Sequence, residues 1–288
     1  MGYSYNSLRA RLIDAGIAPY DAGDEALCLL ERFCQASRIS CLCDRDKLYV
    51  SPELENAVMK RTRRYPLQYI LGQWDFYGMT FEVDERCLIP RSDTEILVEE
   101  AIRTLPQGAT FVDLCTGSGC IAVSVLAHRP DTTAVVLELF PETLALAVRN
   151  AEIHGVSDRM VPVCADLLKE GAQALLPYAP FYAILSNPPY IPGKIVEELE
   201  PELFFEPKAA LDGGEDGLIF YRAILEGYIH LLRPDGQILL EIGYDQATAL
   251  SQLGNEHLPG AAFACLKDLG GRDRVVTFRH LSACIDIS

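Results

Sequence analysis

Thr110-Phe111-Val112-Asp113-Leu114, followed by Cys115-Thr116-Gly117-Ser118-Gly119, reads as a buried strand that turns through a glycine loop into a helix. Glycines let the backbone pass close to a ligand as a chain enters a helix. Outward from this point the pattern alternates. Further strands are expected at 133–138, 160–164, 181–186, 236–242, 261–266 and 274–279, and helices at 93–104, 119–128, 142–154, 215–232 and 245–254. The alternation predicts an α/β fold with a doubly wound, seven-stranded, mostly parallel sheet. The last two strands lie close together across Gly270-Gly271, so they are expected to form an antiparallel hairpin at the sheet edge.

Upstream the character changes. Ser7 to Ala15, Asp21 to Ser37 and Ser51 to Tyr65 carry apolar residues at three- and four-residue spacing. Ser51-Pro52 supplies an N-cap residue and a proline at the first helical position. Residues 1–72 are therefore expected to form a small helical bundle. Trp74, Phe76, Met79, Phe81 and Val83 flank Tyr77-Gly78, which reads as a β-hairpin linker over 73–84. Residues 85–288 then hold the sheet.

Two strand ends suggest ligand chemistry. Glu138 closes the strand after the glycine loop, where a carboxylate can accept from both hydroxyls of a ribose. Gly117-Ser118-Gly119-Cys120-Ile121-Ala122 also fits the dinucleotide fingerprint, so a dehydrogenase is a rival, and a glycine turn without ligand is the plain alternative. Asp113 beside the loop disfavours a pyrophosphate and suits S-adenosylmethionine, which has no phosphate and carries a cation. Asp166 ends the third strand, where it serves either as an adenine acceptor or as a helix cap.

Asn187-Pro188-Pro189-Tyr190 comes directly after the apolar strand Phe181 to Ser186. Two prolines stop the strand and stiffen the chain beyond it. The Asn side chain and the Asn187 and Pro188 carbonyls then form a rigid, acceptor-rich socket for an –NH2 group. The plain alternative is a strand-to-loop turn.

Composition sets outer bounds. A net charge of −16 argues against broad affinity for nucleic-acid phosphates. Lys60-Arg61-Thr62-Arg63-Arg64 is the local exception, either a basic helix end or a patch for a partner. No apolar run is long enough to span a bilayer, and the first residues lack a signal pattern, so a cytoplasmic protein without membrane contact is expected. Of the ten cysteines, Cys28, Cys87, Cys164 and Cys265 sit in apolar runs and are expected as buried thiols. Cys41-Leu42-Cys43 lacks zinc-finger spacing, so no metal is expected.

With Asp113 to Gly119, Glu138, Asp166 and Asn187 to Tyr190 in this order, the chain resembles class I S-adenosylmethionine-dependent methyltransferases. It is similar specifically to the release-factor glutamine methyltransferase (HemK/PrmC) family. Tyr65 to Gly72, Leu88-Ile89-Pro90-Arg91-Ser92-Asp93-Thr94-Glu95, Glu206 to Leu218, Glu241-Ile242-Gly243 and Asp273-Arg274 resemble further blocks of that family. Cys115 stands where the family usually has Gly, at a modest expected cost unless φ there is positive. Glu138 replaces the usual Asp.

The resemblance implies methyl transfer from S-adenosylmethionine to the side-chain amide nitrogen of the Gln in a Gly-Gly-Gln loop of peptide chain release factors. It implies that Asn187, Pro188, Pro189 and Tyr190 hold the glutamine. It implies a cofactor pocket made by Arg91, Thr94, Asp113, Cys115, Thr116, Gly117, Ser118, Gly119, Glu138, Asp166, Leu167 and Asn187, with the helical domain recognising the partner. Methylation of a ribosomal-protein glutamine, methylation of a nucleic-acid amino group, and a cofactor-binding scaffold without catalysis are the competing readings.

Overall fold

A computed structural model describes residues 2–196 and 199–279. The chain divides into two compact units, one taking in residues up to Gln73 together with Glu200–Phe205, the other the remainder. From sequence, Glu200–Phe205 is expected with the sheet; the structure groups it with the helices instead.

The first unit is helical: α1 (Tyr5–Asp14), α2 (Asp21–Cys34), α3 (Arg38–Cys43), α4 (Pro52–Arg61) and α5 (Leu67–Leu71). Local chemistry sets the boundaries. Ser4 and Ser7 form a capping box on α1, and the Ser51 side chain accepts from the Leu54 amide ahead of Pro52 on α4. The helix expected over Asp21 to Ser37 ends early because Gln35 adopts a left-handed conformation, φ 52°. Leu8, Leu12, Leu29, Leu30, Leu54 and Val58 are fully buried and form the core of this unit.

The expected basic patch takes a different form. Arg61 is buried, and its guanidinium donates to both Glu25 oxygens at 2.6 and 2.8 Å and to Glu202 at 2.9 Å. Arg64 pairs with Glu202 at 2.7 Å, and Lys60 lies over the Tyr65 ring. Only Arg63 of the three arginines is exposed. Two of these charges therefore hold the unit together rather than facing solvent.

In the second unit, β1 (Gln73–Phe76) and β2 (Met79–Glu82) form the expected hairpin. After α6 (Glu95–Thr104) come β3 (Thr110–Leu114), α7 (Cys120–His128), β4 (Thr133–Glu138), α8 (Pro141–Ile153), β5 (Met160–Cys164), α9 (Gly171–Leu175) and β6 (Phe181–Ser186). The unit continues with α10 (Gly193–Val196), α11 (Ile219–Gly227), β7 (Leu232–Glu241), α12 (Ala247–His257), β8 (Ala262–Lys267) and β9 (Asp273–Arg279).

The seven-stranded sheet has the order β5-β4-β3-β6-β7-β9-β8. The first five strands are parallel, and β9 runs antiparallel between β7 and β8. This is the expected doubly wound sheet with an antiparallel edge hairpin. Strands β3, β4 and β6 are buried along almost their whole length, as apolar strands covered by helices on both faces must be. Phe111 and Phe181 are wholly enclosed, and each fully buried aromatic contributes about 1.5–3 kcal/mol of transfer free energy. The helix expected at 215–232 is confined to Ile219–Gly227, because the residues before it form a loop in which Gly217 takes φ 75°.

Candidate active site

The carboxyl ends of β3, β4, β5 and β6 open into one cleft of about 920 Å³, its solvent mouth included. Strand order reverses about β3, and that switch point is where open α/β sheets hold ligands. Arg91, Thr94, Cys115, Thr116, Gly117, Ser118, Glu138, Asp166, Leu167, Asn187 and Pro189 all line it. Asp113, Gly119, Pro188 and Tyr190 do not.

Asp113 lies beneath the loop, with no exposed surface. Its Oδ2 accepts from the Thr116 hydroxyl at 2.6 Å, while Oδ1 has no partner among the described residues. Burial pushes its carboxyl up to about 7, against the pull of the Thr116 bond. The Thr116 amide also donates to the Leu137 carbonyl at 3.2 Å, which ties the loop to β4. Cys115 has φ 59°, so the positive-φ condition raised by its sequence is met. A residue with a Cβ in this region costs about 1–2 kcal/mol, a price that the usual glycine avoids.

Glu138 is nearly buried in the cleft wall. Its Oε1 accepts from the Leu139 and Phe140 amides at 2.9 and 3.2 Å, and its Oε2 from the Gly117 amide at 3.1 Å. A carboxylate has about four acceptor sites, so about one remains, on Oε2. Burial raises this carboxyl although the three amides stabilise its charge. Asp166 closes a turn rather than capping a helix: Oδ1 accepts from the Leu168 amide at 2.9 Å and Oδ2 pairs with Lys169 at 2.8 Å, which lowers its carboxyl. It borders the cleft as well.

Asn187 directly follows β6 in the same wall. Its Nδ2 donates to the Thr94 hydroxyl at 3.1 Å. The chain after it is held from behind. Ile191 bridges to Asp212, the Ile191 amide donates to the Leu211 carbonyl at 3.0 Å, and the Gly213 amide donates back to Ile191 at 2.8 Å. A Cβ on Gly213 would stand 2.8 Å from the Tyr190 Cα, and one on Gly217 would overlap the Tyr190 carbonyl oxygen. Gln246 Nε2 donates to that same carbonyl at 3.0 Å. The Asp212 to Leu218 loop is glycine-rich because it packs backbone to backbone against the socket. Tyr190 itself packs on the core, and burial pushes its phenol up to about 12.

A charged cluster lies behind Thr94. Glu241, at the end of β7, is buried beside the Thr94 hydroxyl, and its Oε2 has no partner among the described residues. Arg274 of β9 pairs with Asp93 and with Asp268, each at 3.1 Å. Arg91 pairs with Glu206, which also accepts from the Ile89 amide at 3.0 Å. That contact orients the Leu88-Ile89-Pro90-Arg91 wall.

Several lining residues escaped the sequence reading: Cys87, Leu88, Leu139, Phe140, Pro207 and Phe220. Leu88 and Pro207 lie inside quoted sequence blocks whose apolar members carried no chemical signal of their own. The thiols also differ from expectation. Cys87 is buried, but Cys28 and Cys265 are half-buried and Cys164 is exposed. Among the described residues no group of three or more His, Cys, Asp or Glu is placed to hold a metal.

Comparison with known proteins bears on what this cleft does. Residues 92–233 match the family model described as "Methyltransferase small domain". A release factor glutamine methyltransferase of Geobacter sulfurreducens is 43% identical over 221 residues, 76% of this chain and 75% of the relative. One from Caulobacter vibrioides is 34% identical over 280 residues, 95% of this chain and 94% of the relative. The chain belongs to the release factor glutamine methyltransferase family. Among solved structures, the hMettl16 catalytic domain in complex with the MAT2A 3′UTR hairpin 6 superposes with a TM-score of 0.55 at 15% identity, covering 82% of this chain and 85% of that one. At that identity it supports the class I methyltransferase fold alone. Family membership decides against the dehydrogenase and the bare glycine turn.

Proposed function

We propose that this protein transfers a methyl group from S-adenosylmethionine to the side-chain amide nitrogen of the glutamine in the Gly-Gly-Gln motif of peptide chain release factors, in the cytoplasm. The observation that carries this reading is that Asn187 shares one cleft with Glu138 and the 115–118 loop. The residues fit the cofactor. Glu138 Oε2 has one acceptor site left for a ribose hydroxyl, and Leu139, Phe140 and Leu167 give apolar walls for a flat base. Bound there, S-adenosylmethionine would supply the methyl group on a sulfonium, and the glutamine amide nitrogen would take it in exchange for a proton lost to water.

A primary amide nitrogen is a poor nucleophile because its lone pair is delocalised. Asn187 Oδ1 and the Pro188 carbonyl accept from the glutamine –NH2, orient it and favour its pyramidal form. Tyr190 backs the amide plane. Preorganised placement is then the main source of rate. The helical unit, residues 1–72, serves as the recognition domain for the rest of the release factor. The test is incubation with S-adenosylmethionine and a purified release factor, followed by mass spectrometry of the Gly-Gly-Gln peptide. One added methyl on the glutamine is expected from the wild type, with a loss of about 10²–10³ in rate for Asn187→Ala. Methyl transfer to nucleic acid or to a ribosomal protein instead would overturn the assignment.

A further inference from the structure

The 115–119 loop is held from a side that the cleft does not show. Gly117 and Gly119 both have positive φ, 56° and 79°. Glycines leave such a turn many other shapes, so its peptide groups need fixing from outside. Glu138 fixes the Gly117 amide, and the Leu137 carbonyl fixes the Thr116 amide. The Ser118 carbonyl lies one residue outside the α7 ladder, which begins where the Val123 amide donates to the Gly119 carbonyl at 2.9 Å. It accepts instead from Asn150 Nδ2 of α8, at 2.9 Å.

Asn150 is completely buried. Its other bonds go to the hairpin. Oδ1 accepts from the Glu82 amide at 2.8 Å, and Nδ2 also donates to the Glu82 carbonyl at 3.0 Å. The side chain pairs with β2 much as a neighbouring strand would and gives its second N–H to the loop. Each partner is a backbone group with one role, so only this orientation of the amide makes all three bonds. The packing is close as well: a Cβ on Gly119 would stand 3.0 Å from the Ala147 Cβ on α8. Just beyond α8, His154 Nε2 donates to the Thr80 carbonyl at 2.9 Å, and its ring lies 5.0 Å from that of Phe81. No hairpin residue lines the cleft. We propose that Asn150 is a positioning residue that braces the cofactor loop against the β1–β2 hairpin. The hairpin is then part of the scaffold of the site and not only a link in the chain. The effect on affinity rests on the reading of the cleft as an S-adenosylmethionine site. Coupling of this kind is reciprocal, so a ligand that steadies the loop also steadies the hairpin.

The first measurement needs no variant. Amide hydrogen exchange of the wild type is followed with and without S-adenosylhomocysteine. The Glu82 amide exchanges only when Asn150 lets go, so saturating ligand is expected to slow it roughly 5- to 30-fold. Protection confined to the cleft, with Glu82 unchanged, would overturn the brace. In the free protein, Asn150→Ala is expected to speed exchange of the Gly117 and Gly119 amides, although their own partners, Glu138 and Thr116, are intact. Unchanged exchange at both glycines would also overturn it. The same variant should raise the Kd for S-adenosylhomocysteine and the KM for S-adenosylmethionine by about 5- to 30-fold, while kcat at saturation stays within about 3-fold. Lower kcat with unchanged KM is what partial unfolding gives, and that result sinks the proposal. Asn150→Asp keeps the shape and the acceptor for Glu82 but turns a carboxylate oxygen to the two carbonyls. It is expected to bind no more tightly than Asn150→Ala. Wild-type affinity in Asn150→Asp would mean that packing alone holds the loop. If the glycine amides respond to Asn150→Ala but the wild type binds no S-adenosylhomocysteine or leaves Gly-Gly-Gln unmethylated, the brace stands and the functional reading falls.

Discussion

Gly217 stands so close behind Tyr190 that a Cβ on it would overlap the Tyr190 carbonyl oxygen. Its φ of 75° disfavours a side chain as well. Gly217→Ala is expected to push the socket forward. Stability should drop by about 1–3 kcal/mol and turnover by about 100-fold, with cofactor affinity changed only several-fold. Calorimetry and single-turnover assays on the same preparation separate the two effects. Turnover within 3-fold of wild type would show that the loop does not set the socket.

Cys115 holds a left-handed conformation in a loop where glycine is usual in the family. Removing only the thiol, as in Cys115→Ala, loses packing and keeps the strain. Cys115→Gly loses the same packing and relieves the strain. Urea denaturation is expected to find Cys115→Gly more stable than Cys115→Ala by about 1 kcal/mol, although glycine is smaller and more flexible when unfolded. The reverse ranking would mean that the turn is not strained at this position.

Arg61 joins Glu25 and Glu202 while itself buried. Charge reversal at this position would bury repelling carboxylates. Arg61→Glu should cost at least about 3–5 kcal/mol, whereas Arg63→Glu on the exposed side should cost under about 0.5 kcal/mol. Hydrogen exchange across α2 and α4 reports the loss locally. Comparable protection in both variants would return Arg61 to the status of a solvated helix end.

Glu138 anchors three backbone amides, from Gly117, Leu139 and Phe140. Glu138→Ala removes the proposed ribose acceptor and releases the loop together. Affinity for S-adenosylmethionine is expected to fall by roughly 10- to 100-fold. Unchanged affinity in a folded variant would take Glu138 out of the site.

Burial pushes the Glu241 carboxyl up to about 7, with Thr94 and Arg274 only partly offsetting it. The folded state therefore binds this proton more tightly than the unfolded chain does. The resulting stability is complete below about pH 4.5 and is lost as pH rises to about 7. Over that window the unfolding free energy of the wild type should decline relative to Glu241→Gln by about 2–3 kcal/mol. Carboxyls lowered by arginine partners, such as Glu202 and Asp84, act oppositely and at lower pH, so they do not mask it. Parallel stability curves for the two proteins between pH 4.5 and 7.5 would contradict the buried ionisation.

Much of the architecture is local and was legible in the chain. Strands β3, β4, β5 and β6 lie at their expected residues, because short apolar runs bounded by Gly, Pro and Asn leave few alternatives. Helix ends moved where one residue took a left-handed conformation, as at Gln35 and Gly217, which neighbouring sequence does not announce. Glu138, Asp166 and Asn187 were found because strand ends in this fold meet at one edge.

The sequence by itself therefore determined the doubly wound sheet, the glycine loop and the residues at its carboxyl edge, since periodicity and turn chemistry are properties of contiguous residues. Only the tertiary structure decided that Asp113 lies under the loop, that Cys115 is strained, that Arg61 is a buried anchor and that Asn187 donates to Thr94. Arg61 and Asn187 depend on partners 36 to 141 residues away, Cys115 on a backbone angle imposed by packing, and Asp113 on what the fold lays over it. Burial and hydrogen-bond direction are set by what the folded chain brings alongside a residue, and no local pattern records that.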